Sequence, residues 1–182
     1  AYDSAGNLIR KTVDIEVGRT LVQTNGYNRL GFLTASALLD VETGNGTTNL
    51  VTRYEPDALN RVLSITFPGG ERHVLGYDHA GRISTHEVVE AHVQEFRYDL
   101  NGNLVRTWIG EAVEEYRYDG HDRMVRQTGA NGTRVELALD GLGNVLTNTV
   151  VDSANRLLKQ TSFGFDALNR PRELTRLRAE TR

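Results

Sequence analysis

The sequence predicts an all-β protein in which repeated β-hairpins build one continuous antiparallel sheet. A six-residue turn motif recurs along the chain, its copies are almost evenly spaced, and apolar and charged residues alternate beside them. No window has a convincing apolar stripe at helical spacing. The nearest candidate, residues 85–96, contains Val88, Val89 and Val93, whose branched side chains favour a strand.

The repeated motif is Asp-x-x-[Gly/Asn/Asp]-[Asn/Arg]-apolar. Eight of the eleven aspartates of the chain occupy its first position. A carboxylate there suits the first residue of a type I turn, where it accepts a hydrogen bond from the backbone N–H two residues later. A degenerate ninth copy starts at Asn28. The anchor aspartates are Asp3, Asp57, Asp78, Asp99, Asp119, Asp140, Asp152 and Asp166.

The fourth position of the motif carries only residue types that tolerate positive φ at low cost. A type I turn followed by such a residue is a common hairpin connection. We therefore expect the left-handed conformation at every copy. These residues are Gly6, Asn60, Gly81, Gly102, Asp122, Gly143, Asn155 and Asn169.

An aromatic residue precedes most anchors and completes an alternating strand pattern. In residues 96–98 and 116–118, an arginine separates two aromatic residues, which places both rings on one face of the sheet. We expect these rings to stack and to join neighbouring hairpins. The predicted stacking residues are Tyr2, Tyr77, Tyr98, Tyr118 and Phe165.

The spacing of the anchors predicts the topology. Successive anchors from Asp57 to Asp140 are 21, 21, 20 and 21 residues apart, with a second turn signal midway, such as Asn131-Gly132. Gly18 and residues 43–47 supply the earlier return turns. This pattern predicts roughly sixteen strands in a single module over 1–182, with 13–53 its most degenerate part.

One repeat cannot fold alone. Ordering about 20 residues costs roughly 20–40 kcal/mol of backbone entropy. Burying an aromatic or aliphatic side chain returns only about 1.5–3 kcal/mol. Neighbouring hairpins must therefore share their hydrogen-bond ladders and their apolar side chains.

The composition excludes several classes of protein. The 182 residues include no cysteine, which excludes disulfides, zinc fingers and thiol nucleophiles. The net charge of −3 argues against a nucleic-acid binder, and no apolar run is long enough for a membrane-spanning helix. The chain opens inside a repeat and without a signal-peptide pattern, so we expect it to be a segment of a longer polypeptide.

The repeats resemble the YD repeats of the RHS/YD-repeat family. The segments YDSAGNLIRKT (2–12), YDHAGRI (77–83) and YDLNGNLVRT (98–107) carry the resemblance. The family includes Rhs polymorphic toxins, Tc toxin shells, wall-associated repeat proteins and teneurins. The resemblance implies a sheet that curls into part of a spiral shell or barrel. In Rhs and Tc proteins that shell encloses a toxin segment, whereas teneurins use a similar barrel for adhesion.

Two functions follow from this resemblance. The first is a non-enzymatic segment of a shell that encapsulates or presents a toxin polypeptide. The alternative is a cell-surface adhesion or carbohydrate-binding module of the teneurin or wall-associated type. The expected partners are the remainder of the repeat polypeptide, an enclosed toxin or effector, and delivery-machinery or cell-surface proteins. A secreted or bacterial cell-surface location is implied.

No catalytic, cofactor-binding or metal-binding residue is predicted. Each turn offers one carboxylate, except for the pair Asp119 and Asp122, which is too few for a calcium site. The segment HEVVEAH (86–92) begins like a zinc-protease motif but lacks its second histidine at the required spacing and reads as strand. We expect His73, His79 and His121 to be solvated and Trp108 to pack in a core. The chain has no Asp-Pro self-cleavage motif, because its prolines follow Glu55, Phe67 and Arg170.

Overall fold

The fold prediction is confirmed by a computed structural model, which describes residues 1–16, 19–43 and 46–178. The described residues form fifteen antiparallel strands and no helix. The order of the strands in the sheet is their order in the chain, and neighbouring strands are hydrogen-bonded. No described helix could therefore cross a lipid bilayer.

The chain divides into two compact units, Ala1–Val93 and Gln94–Arg182. The predicted single module over 1–182 stays a prediction. The strands of the first unit are β1 (Arg10–Glu16), β2 (Arg19–Tyr27), β3 (Leu33–Thr43), β4 (Gly46–Pro56), β5 (Val62–Thr66), β6 (Arg72–Tyr77) and β7 (Ile83–Val88).

The second unit contains the remaining strands, with β8 beginning at the boundary. The return turn predicted at Asn131-Gly132 lies between strands, as does Gly69-Gly70, the turn signal midway between Asp57 and Asp78. Gly18 and residues 44–45 of the predicted 43–47 turn lie outside the described residues. The strands are β8 (His92–Tyr98), β9 (Leu104–Ile109), β10 (Ala112–Tyr118), β11 (Met124–Thr128), β12 (Arg134–Leu139), β13 (Val145–Val151), β14 (Leu157–Phe165) and β15 (Pro171–Arg178).

The strand count is close to the expected sixteen. At the first repeat, the residues that flank the turn form only an isolated bridge between Tyr2 and Leu8 rather than a full strand pair. Every other copy of the motif connects two full strands. The HEVVEAH segment lies in β7, a turn and β8 rather than in a helix, so it cannot present the zinc-protease geometry.

A β-bulge lies beside the turn in every copy of the motif except the first. Arg117 pairs with Arg126, but the next residue, Tyr118, pairs with Met124, so Val125 has no counterpart. The same shift occurs at Tyr27, at Tyr77 and at the residue before five further anchors. Such an extra residue bends the strand and increases its local right-handed twist.

The structure has almost no conventional core. Among the described residues, Val151, with 8% of its surface exposed, is the only apolar residue that is largely buried. The accessible surface is 12862 Å², against about 8,800 Å² for a compact protein of 20.3 kDa. Much of the sheet surface therefore has no second layer over it, and the strand ladders and turns carry a large share of the stability.

We expect Gly102→Val to lower the free energy of unfolding by about 1–3 kcal/mol, because Gly102 has a φ of 98° that a β-branched residue resists. Urea unfolding can be followed through the fluorescence of Trp108, the single tryptophan, on the strand after this turn. The matched control is Gly120→Ala, since a Cβ there meets no atom within 4 Å. Equal stability of the two variants would contradict the turn geometry.

Candidate functional site

The anchor carboxylate organises the backbone of each turn. In the Asp119 copy, Oδ1 accepts hydrogen bonds from the N–H groups of His121 at 2.9 Å and Arg123 at 3.1 Å. The backbone N–H of Asp122 donates to the carbonyl of Asp119 at 3.2 Å. All eight anchors make the same two Oδ1 contacts, and so does Asn28 in the ninth copy.

The fourth motif position adopts positive φ in all eight copies. The φ values of the non-glycine residues lie between 60° and 62°, within the left-handed helical region. The glycines extend further, from 81° to 98°. The residues are Asn60, Asp122, Asn155 and Asn169 in the first group, and Gly6, Gly81, Gly102 and Gly143 in the second.

The fifth motif position has a role that sequence reasoning missed. Its side chain donates to the second anchor oxygen, as when Arg123 Nε contacts Asp119 Oδ2 at 2.7 Å or Asn144 Nδ2 contacts Asp140 Oδ2 at 2.8 Å. The recurring choice of Asn or Arg was the available signal, because both side chains donate N–H groups. In the ninth copy the anchor is Asn28, which has no second carboxylate oxygen, and the fifth residue is Phe32, which has no side-chain donor.

These donors keep the anchors ionised. Hydrogen bonds from Arg123, together with backbone N–H groups, lower the pKa of Asp119 from 3.8 to about 2. The pKa of each other anchor carboxyl is also lowered by hydrogen bonds from its turn. A permanently ionised carboxylate whose oxygens accept several N–H groups is a poor proton donor or acceptor.

Side chains also link neighbouring turns within each unit. Asn101 and Asn103 donate to Oδ1 of Asp122, the fourth residue of the next motif, at 2.8 and 2.7 Å. Arg123 extends the series, because its Nη1 donates to the backbone carbonyl of Asp140 at 3.0 Å. The turns that begin at Asp99, Asp119 and Asp140 therefore form a connected polar edge.

The tyrosines before the anchors also connect one repeat to the preceding repeat. The hydroxyl groups of Tyr27, Tyr77 and Tyr118 donate to the backbone carbonyls of Leu8, Val62 and Leu104 at 3.0, 2.7 and 2.9 Å. Each acceptor lies five residues after the preceding anchor. This role of the hydroxyl was not predicted, although the preference for Tyr over Phe was a signal for it.

The aromatic rings that precede the anchors have different surroundings. The Arg61 guanidinium lies 4.3 Å from the ring centroid of Tyr77, a cation–π geometry. Burial and the negative charge of Asp99 raise the pKa of Tyr118, which keeps its hydroxyl protonated as a donor. Tyr2 is 69% exposed, so it does not seal a buried column, and the stacking of the rings stays a prediction.

A histidine pair occupies the first unit. The expectation that His73 is solvated is wrong, since its side chain is only 20% exposed. His73 Nδ1 lies 2.9 Å from His86 Nε2, and His73 Nε2 contacts Glu71. Burial and the nearby charges of His73 and His92 lower the pKa of His86, which favours its neutral form. In the described residues, no three His, Cys, Asp or Glu side chains are arranged to hold a metal ion.

Trp108 contacts cations rather than a closed apolar core. The guanidinium groups of Arg97 and Arg106 lie 5.2 and 5.4 Å from its ring. Arg106 also pairs with Glu115 across β9 and β10. The predicted core position of Trp108 is thus a half-buried site on a charged face of the sheet.

No protein-family model matches the chain, and no curated protein matches its sequence. Solved structures do resemble it in fold. The crystal structure of TcdB2-TccC3-Cdc42 is 18% identical, with a TM-score of 0.63, and the match covers 87% of this chain and 10% of that one. The crystal structure of TcdB2-TccC3 is 15% identical, with a TM-score of 0.62 over 94% of this chain and 12% of that one.

A Tc holotoxin pore of Photorhabdus luminescens is also similar, with 16% identity and a TM-score of 0.55. That match covers 86% of this chain and 11% of the other. The chain spans about a tenth of the length of these proteins. At such identities the similarity establishes the fold, which is that of a part of Tc toxin chains.

We expect Arg123→Met to raise the pKa of Asp119 from about 2 towards 3.8, because the largest cause of its low value is the Arg123 hydrogen bond. The wild-type carboxylate stabilises the fold above pH 3.8, and this contribution is lost as the pH falls from 3.8 towards 2. Carboxyl-carbon NMR titration measures the change. Asp166, whose partner is Arg170, serves as an internal control and should titrate unchanged.

Tyr118→Phe should lower the free energy of unfolding by about 0.5–1.5 kcal/mol, because the carbonyl of Leu104 loses its hydroxyl donor. The matched control is Tyr2→Phe at an exposed position, which should leave stability unchanged. Chemical denaturation of both variants tests the link. A Tyr118→Phe variant as stable as the wild type would show that this bond contributes nothing.

Proposed function

We propose that this chain is a non-enzymatic wall segment of an RHS/YD-type shell that encloses or presents another polypeptide, such as a toxin. The observation that carries the proposal is one turn geometry in a sheet whose strands follow chain order. This geometry occurs at all nine copies of the motif and at the return turns that begin at Phe67 and Gly129. Such a wall grows by adding hairpins, without the need for a new core. The structural similarity to TcdB2-TccC3 supports the same interpretation.

The chemistry of the anchors supports a structural role. Catalysis requires one distinctive site with a pKa near the working pH, whereas the eight anchors share one geometry and have lowered pKa values. Both oxygens of each anchor accept hydrogen bonds within the turn, as Asp57 illustrates. The carboxylates are therefore committed to the backbone that they shape.

The proposal makes the remainder of a longer repeat polypeptide the principal partner. The enclosed segment would be a toxin or effector, and delivery-machinery or cell-surface proteins would be outer partners. A secreted or bacterial cell-surface location belongs to the same proposal. The sheet surface without a second layer is the feature that such partners would cover.

Removing one repeat tests the wall. Deleting residues 119–139 joins Tyr118 to Asp140 and so restores a tyrosine–anchor junction, while β11 and β12 are lost. The wall would shorten by about 10 Å, two strand spacings. In the longer polypeptide, we expect a segment outside residues 1–182 to resist limited proteolysis when the wall is intact and to be cleaved after the deletion, as measured by mass spectrometry.

The control for that experiment is Gly120→Ala, which should preserve protection because its side chain meets open space. If the segment were cleaved as readily in the intact polypeptide as in the deletion variant, the proposed shell would be contradicted. Saturable binding of the chain to a glycan array would instead support the adhesion alternative.

A further inference from the structure

A pocket on the second unit contains the carboxylate of Glu114. The cavity has a volume of about 300 Å³, at the lower end of the range for small-molecule sites. Phe96, Leu104, Ile109 and Ala112 form its apolar lining. Glu114 is the one charged residue among the lining residues, beside the polar side chains of Gln94, Thr107 and Tyr116.

Register places the polar groups of the pocket side by side. Phe96 pairs with Thr107, which pairs in turn with Glu114, so the three side chains share one face of β8, β9 and β10. Tyr116, two residues after Glu114, lies on that face too. Its hydroxyl donates to Glu114 Oε2 at 2.7 Å. Thr107 is only 8% exposed and its side chain interacts with the Tyr116 hydroxyl.

Glu114 differs from three glutamates of the sheet that have cation partners. Glu55, Glu115 and Glu136 pair with arginines on neighbouring strands. Within the part of the chain that the structure describes, no lysine, arginine or histidine pairs with Glu114. A half-buried carboxylate beside apolar side chains is a costly arrangement unless a cation compensates it.

We propose that this pocket binds the side chain of a lysine in an extended polypeptide. The apolar lining suits the aliphatic stem of lysine, and Glu114 Oε1 would accept from its ammonium group. Lysine fits better than arginine, because Oε2 is occupied by Tyr116 and a bidentate guanidinium contact needs both oxygens. This inference rests on the proposed function, since the polypeptide would be the one enclosed or presented by the wall.

The test uses the full 182-residue chain and three pentapeptides with alanines around a central lysine, norleucine or Nε-acetyllysine. Binding is followed by NMR shifts of the methyl groups of Leu104, Ile109 and Ala112. We expect saturable binding of the lysine peptide and affinity about tenfold to hundredfold weaker for the other two. Equal binding of the lysine and norleucine peptides would overturn the proposal.

Two matched variants locate the charge. Glu114→Gln should weaken lysine-peptide binding by about tenfold to hundredfold, whereas Glu115→Gln, on the opposite face, should leave it unchanged. Equal losses in both variants would overturn the assignment to Glu114. If Glu114→Gln does not fold, the peptide series on the unaltered chain decides the question.

A fourth probe, n-butylamine, tests whether the ligand is a polypeptide. Binding as tight as that of the lysine peptide would overturn the polypeptide assignment. Different results contradict the proposed lysine pocket and the proposed wall. Absence of lysine-peptide binding overturns the pocket but leaves protease protection intact, whereas binding without protection of any segment counts against the wall alone.

Discussion

The anchor carboxylate is the contact on which the whole sheet depends. One oxygen of Asp119 accepts two backbone N–H groups and the other accepts the Arg123 side chain, which fixes a five-residue turn. Asp122 at positive φ then reverses the chain, and a bulge at Val125 follows in the next strand. Strand register follows, because a slip of one residue would move every side chain to the opposite face.

Stability is distributed because no central core supplies it. The hydroxyl of Tyr118, the amide of Asn103 and the guanidinium of Arg123 each tie one repeat to another. A single such bond contributes about 1 kcal/mol, so the sheet depends on many of them acting together. These many hydrogen bonds between repeats accompany an exposed surface of 12862 Å².

The two sheet faces differ in chemistry around β9 and β10. One face carries compensated charges, such as Arg106 with Glu115, beside Trp108. The other carries apolar residues, Tyr116 and the uncompensated Glu114. In a repeat protein most local choices agree with the architecture, so a residue that departs from its neighbours is a strong candidate for recognition.

The sequence alone determined the all-β class, the turn positions and the positive-φ residues, because local backbone sterics restrict these sites to a few residue types. Only the tertiary structure decided which side chains contact one another between strands. The Tyr118 hydroxyl, the burial of His73 and the surroundings of Glu114 depend on register and on neighbours at least seven residues away in sequence. Those contacts arise from pairing distant segments, and a local pattern carries no record of which groups will meet.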